Sequence, residues 1–146
     1  VEEIKLNPIG YAKNDEKQHF GGWREVVSEI VVNEEWKDAL FGLSDFSHII
    51  VVYFMHKIKT CDIRHIPQGK KGEVPEVGIF ACRCPARPNP IGISTVKLLS
   101  VKDNIITVQG LDVIQDTPIL DIKPYTPQYD MPKNPKIPDW INKLDY

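Results

Sequence analysis

Ser47 to Met55 reads SHIIVVYFM, and its seven consecutive apolar residues from Ile49 onward decide how the rest of the chain is read. Branching at Cβ stiffens χ1 in Ile49 to Val52 and favours an extended backbone, and the aromatic pair that follows suits a pleated surface. A membrane helix needs about 20 apolar residues, far more than this run offers. The segment is therefore a buried strand, with His48 just before it and His56 closing it.

Upstream, Val26, Val27, Ile30, Val31 and Val32 favour a second strand. Ile4 to Tyr11 reads as an edge strand or a bent one, because Asn7-Pro8 and Gly10 interrupt it. Gly21-Gly22 marks a loop. Asn33 is placed to cap a short helix through its side-chain oxygen, with Glu34 and Glu35 at the positive helix end, Trp36, Ala39 and Leu40 as its apolar stripe, and Gly42 as its stop.

Downstream, residues 57 to 76 are polar, basic and rich in Gly and Pro, the composition of a long functional loop. Strands are expected at Val77 to Cys82, Ile93 to Val101 and Ile105 to Val108, the last two joined by a turn at Lys102-Asp103-Asn104. In the first of that pair Val96 and Leu98 share one face, and Thr95 and Lys97 the other. Shorter extended pieces fall at Leu111 to Ile114 and Ile119 to Ile122, and Pro138 to Leu144 suits a turn of helix. Many short strands without alternating long helices predict a mainly β protein, a compact single-domain β-barrel with one or two short helices.

The 146 residues suffice for one core, and the chain is read as one domain over 1 to 146 with no additional C-terminal domain. No basic stretch leads into an apolar segment with a cleavage site, so neither secretion nor import is suggested. Three cysteines do not make a disulfide scaffold, which fits a reducing cytoplasm. Residues 56 to 101 carry eight Lys/Arg against three Asp/Glu inside an otherwise acidic chain. That local excess suits phosphate contacts, and equally an ordinary charged loop. The sequence holds no GxGxxG, Walker-type or HExxH pattern, which argues against the common nucleotide folds and zinc peptidases.

RCPARPNPIG, Arg83 to Gly92, is the least generic stretch. Its three prolines stiffen the backbone around Arg83, Arg87 and Asn89, as a ligand loop ordered in advance would require. Exposed or carboxylate-paired arginines on a structural loop are the alternative. LDVIQDTPILDIKPY, Leu111 to Tyr125, offers Asp112, Asp116, Asp121, Lys123, Thr117 and Tyr125, with Asp116-Thr117-Pro118 as a turn at the mouth of a sheet. Asp121 and Lys123 share a strand face, to pair with each other or to line a pocket. His48 and His56 suit proton exchange or structural hydrogen bonding. Cys82 and Cys84 with scattered histidines make a poor zinc set, so no metal is expected, and a bond between two cysteines two apart in a strand is geometrically disfavoured.

GLSDFSHIIVVYFMHK at Gly42 to Lys57, GIFACRCPARPNPIGIS at Gly78 to Ser94 and GLDVIQDTPILDIKPY at Gly110 to Tyr125, with Pro8-Ile9-Gly10 at the start, resemble the TsaA/TrmO-like family in motif and order. The resemblance implies an S-adenosylmethionine-dependent methyltransferase acting on N6 of threonylcarbamoyladenosine next to the anticodon of tRNA. It further implies a β-barrel that pairs as a homodimer, with an active site near the interface and no membrane association. It puts His56, Lys57, Arg87, Asp116, Thr117 and Pro118 around the cofactor, with His56, Asp116 or Asp121 to take the proton. Arg83, Asn89, Lys123, Tyr125, Lys59 and Arg64 would meet the substrate. The family usually has glycine where this chain has Asp116, a position that would then require a positive φ. Competing readings keep the cofactor but methylate a small molecule, or keep the fold as a non-catalytic RNA-binding protein.

Overall fold

The computed structural model describes residues 2–15 and 22–145. Six strands close a barrel: β1 (Gly10–Lys13), β2 (Val27–Val32), β3 (His48–Phe54), β6 (Ile91–Lys102), β7 (Ile105–Gln109) and β8 (Pro118–Pro124), in the order β1-β2-β7-β6-β3-β8. Every pairing is antiparallel. A separate two-stranded ladder joins β4 (Arg64–His65) to β5 (Val77–Gly78) within the long loop.

Period-two alternation supplies the core. Ile49, Val51 and Tyr53 of β3 point inward with Ile30 and Val32 of β2, Val96 of β6, Ile106 and Val108 of β7 and Ile119 of β8. The expected split in β6 is present, with Val96 buried, Leu98 packed against the core, and Thr95 and Lys97 outward. Gly10 lets β1 lie close on β2, since a Cβ there would collide with the Val31 carbonyl.

Several local expectations are corrected. Ile4 to Tyr11 contributes only its last residues to a strand, which continues to Lys13; Ile4 and Leu6 remain exposed. Glu34–Leu40 is a 3-10 rather than an α-helix, and Asn33 does not cap it: its Nδ2 donates to the Pro8 carbonyl at 3.3 Å. The helix stops at Leu40, while Gly42, at φ 84°, starts the next short turn, Leu43–Asp45. Only Leu40 of the expected stripe is buried.

Val77 to Cys82 is extended only over β5, after which Ile79–Ala81 coils into a 3-10 turn. Beyond that turn the Cα atoms of Cys82 and Cys84 lie 5.5 Å apart, and the two sulfurs pair as a disulfide. The expectation against that pairing assumed a straight strand, which this segment is not. Leu111 to Ile114 forms no strand although Leu111 and Val113 are buried, because β7 already pairs with β2 and β6 and Gly110, at φ 94°, turns the chain away. Pro138 to Leu144 contains the expected turn, a 3-10 helix over Asp139–Lys143. Gly21 of the predicted Gly21-Gly22 loop lies outside the described residues; Gly22 takes φ 90°.

The antiparallel registers, Phe54 opposite Ile91, Tyr11 opposite Pro118 and Val27 opposite Gln109, send three connections out of one barrel mouth. Residues 14–15 and 22–26 lie at this mouth, as do the segments 55–90 and 110–117. Residues 33–47, the Asp103-Asn104 turn and the chain beyond 124 leave from the opposite mouth.

Candidate functional site

The 110–117 connection is tied to the rim of the first mouth by a small hydrogen-bond set. The Asn14 amide N–H donates to Gln115 Oε1 at 2.7 Å, and Asn14 Nδ2 donates to Ser28 Oγ at 2.9 Å and to the Val113 carbonyl at 3.2 Å. Asp116 donates its backbone N–H to the Ala12 carbonyl at 2.9 Å, and the Thr117 carbonyl accepts from Ala12 N–H at 2.9 Å. Closing this turn forces Asp116 to φ 68°, the left-handed conformation expected from its glycine-like position. The buried Thr117 hydroxyl donates to the Ile114 carbonyl at 2.8 Å, which pins the end of the turn.

On the neighbouring strand of the same mouth, His56 follows the end of β3. Burial and the neighbouring Lys57 ammonium lower its pKa below the usual histidine value, with Asp116 pulling weakly the other way. Its Nδ1 is buried with no hydrogen-bond partner. A neutral imidazole can accept a proton, and the missing partner at Nδ1 leaves its tautomer unfixed. Inside the barrel, the Tyr53 hydroxyl meets Ser94 Oγ at 3.2 Å, and burial raises its pKa to about 12 despite that hydrogen bond, with Asp112 adding to the rise and Arg83 opposing it. Tyr53 is thus a neutral hydroxyl at the floor of the mouth. Gly92 makes room for it, since a Cβ there would collide with the Tyr53 ring.

Arg87 organises the 55–90 connection. Its Nη1 donates to the carbonyls of Ile79, Cys82 and Cys84 at 3.0, 2.7 and 3.2 Å, and its guanidinium carbon lies 5.9 Å from the Phe80 ring centroid. The structure thus gives this residue a loop-holding part that its sequence position did not announce. Arg83, Asn89, Lys57 and Lys59 are exposed on the same connection; Lys59 Nζ reaches back to the His56 carbonyl at 3.3 Å, and Arg64 pairs with Glu76 at 2.9 Å.

Three predicted residues are not brought here. Asp121 stands opposite Val52 and Lys123 opposite Ile50 on the outer wall, where they pair with each other at 2.7 Å and the contact raises the Lys123 pKa. Tyr125 lies at the far mouth, its ring edge-on to His48 with centroids 6.4 Å apart. His48 itself bonds Ser47 Oγ through Nδ1 at 2.7 Å, away from His56. Among the described residues no cluster of His, Cys, Asp or Glu could hold a metal, and no helix is long and apolar enough to cross a membrane.

Residues 14–131 match the model of the tRNA-methyltransferase O N-terminal domain. The chain belongs to that family. An S-adenosyl-L-methionine-binding protein of Archaeoglobus fulgidus is 38% identical over 130 residues, spanning 86% of this chain and 91% of the relative. The mouse tRNA (adenine(37)-N6)-methyltransferase is 36% identical over 106 residues, 73% of this chain but 25% of its own length. The crystal structure of TrmO from Pseudomonas aeruginosa superposes with a TM-score of 0.76 at 25% identity, over 92% of this chain and 62% of that one.

Within this TrmO-type barrel, sequence reading missed Tyr53, Ser94 and the Asn14–Ser28 pair. For Tyr53, Ser94 and Ser28 the signal was available: polar atoms at inward strand positions, where an apolar side chain is the default. The apolar context of SHIIVVYFM concealed Tyr53.

Proposed function

We propose that this protein transfers the methyl group of S-adenosylmethionine to N6 of threonylcarbamoyladenosine beside the anticodon of tRNA, at the mouth lined by His56, Asp116 and the Arg83–Ser94 loop. The observation that carries the mechanistic part is the buried, unpartnered Nδ1 of a histidine held neutral beside a left-handed Asp116 turn. Family membership and relatives bearing S-adenosyl-L-methionine-binding and tRNA-methyltransferase names support the cofactor and the reaction class.

The sulfonium makes its methyl carbon electrophilic, so the protein's work is to align nitrogen, methyl and sulfur and to manage one proton. The His56 imidazole accepts the N6 proton as the nitrogen attacks, and the nearby Asp116 carboxylate stabilises the imidazolium that forms. The 110–117 turn, with Thr117 and Pro118, holds the cofactor, while Lys57, Arg83 and Asn89 meet the RNA. Of the three proton acceptors considered, Asp121 is the one tied up elsewhere, by Lys123.

The protein acts as a homodimer. Support comes from the outer wall of β3 and β6, where Phe54 opposes Ile91 and Val52 opposes Ile93, with Ile93 51% exposed. Paired apolar side chains facing water are characteristic of a covered surface. Asp121 and Lys123 border this wall, so pairing brings them towards a second copy. Titration calorimetry with S-adenosylmethionine tests the cofactor assignment: saturable binding weakened by Asp116→Ala or His56→Ala is expected, and no heat at millimolar ligand overturns it.

A further inference from the structure

Phe80 carries a large apolar ring on the second residue of the Ile79–Ala81 turn, and 80% of it is exposed. Its backbone is nonetheless firmly held. Ile79 on one side is buried with Cys82 and Cys84, and Arg87 clamps the carbonyls of Ile79, Cys82 and Cys84 from the other. The clamped guanidinium lies 5.9 Å from the ring centroid. Ile63, 84% exposed, is fixed nearby by the Ile79 N–H donating to its carbonyl at 2.9 Å. Between them opens a cavity of about 530 Å³, also lined by Cys61, Asp62 and Pro88. The Asp62 carboxylate at its edge holds His65 Nδ1 through Oδ2 at 2.9 Å.

We propose that Phe80 and Ile63 form a stacking subsite for an RNA base that flanks the nucleotide undergoing methylation. This rests on the tRNA reading above and adds to it a place where a second base is bound. A base fits for three reasons. A rigid exposed ring beside a guanidinium is the arrangement on which unpaired bases stack through their π-faces. The cavity exceeds one base in size, and Asp62 gives an exocyclic amino group an acceptor. The surrounding 56–101 segment carries net positive charge, with Arg64 and Arg83 exposed, which complements a phosphate backbone rather than an apolar peptide or lipid.

Two fluorescent probes separate this proposal from the reading it rests on: 2-aminopurine riboside monophosphate, and an anticodon stem-loop RNA carrying 2-aminopurine beside the target adenosine. Stacking quenches 2-aminopurine. The wild-type protein is expected to quench both. Phe80→Ala should abolish quenching and weaken stem-loop affinity by about 5- to 150-fold, the range that loss of one base–aromatic stack gives. Phe80→Trp should restore both, and calorimetric affinity for S-adenosylmethionine should not change in either variant. Quenching of the monophosphate without stem-loop binding would uphold the base subsite while the tRNA reading fell. Unchanged RNA affinity and quenching in Phe80→Ala would overturn the proposal, as would loss of cofactor affinity alone or a wild-type protein that quenches neither probe.

Discussion

Asp116 adopts φ 68° because its amide must reach the Ala12 carbonyl while Thr117 turns back into the barrel wall. Among residues with a Cβ, Asp is one of the few that tolerate that conformation, and alanine does so at about 1 kcal/mol. Asp116→Ala should therefore lower unfolding free energy in urea by about 1 kcal/mol, and Asp116→Gly should not. Both should slow methyl transfer, since neither carries the carboxylate that supports a protonated His56. The His56 pKa is lowered in the folded protein, so the folded state holds its proton less tightly than the unfolded chain. Its contribution to stability is present above the ordinary histidine value of about 6.5 and is lost as pH falls from there through the lowered folded value. The same shift keeps the base competent at neutral pH. A pH–rate profile should show an acid limb below about 6.5, and His56→Gln should remove that limb and cost about 10²- to 10⁴-fold in rate.

At the scale of elements, β3 and β6 are coupled through Gly92 and Tyr53. Gly92→Ala forces a methyl into the Tyr53 ring and should destabilise the barrel by about 1–3 kcal/mol in thermal or urea unfolding, with loss of cofactor affinity. Arg87 serves the loop in a similar way. Arg87→Ala leaves three carbonyls without their shared donor and should loosen the 79–84 turn, seen as faster amide exchange there than in the strands, whereas Arg87→Lys should recover only part of the protection. These elements also show what sequence can convey. SHIIVVYFM and the alternating β6 were legible because β-branched runs and a period of two are local signals. Leu111 to Ile114 was misread because its hydrophobicity serves the mouth of the barrel, and the place of a segment relative to strands that are already paired is not written in its own residues. Ile79–Ala81 was misread for a related reason: its turn is held by the Arg87 side chain, and that bond to backbone carbonyls is not announced by the residues of the turn itself.

For the whole molecule, barrel closure explains why the motifs at 78–94 and 110–125 cooperate only in part. The antiparallel order places the start of each at one mouth, beside His56, where Arg83, Asp112 and Asp116 come together. It carries Asp121, Lys123 and Tyr125 down the outside of β8 towards the other end. A linear motif does not reveal on which side of a wall its residues finish, and a second copy is what would reunite them. Sedimentation should therefore give twice the chain mass, and Ile93→Glu on the outer wall should yield a folded monomer with little methyl transfer. Purified protein incubated with methyl-labelled S-adenosylmethionine and total tRNA, the RNA then being digested to nucleosides, should place label in N6-methylated threonylcarbamoyladenosine, dependent on His56. Cofactor turnover that labels only small molecules, or no labelled nucleoside at all, would contradict the proposed function.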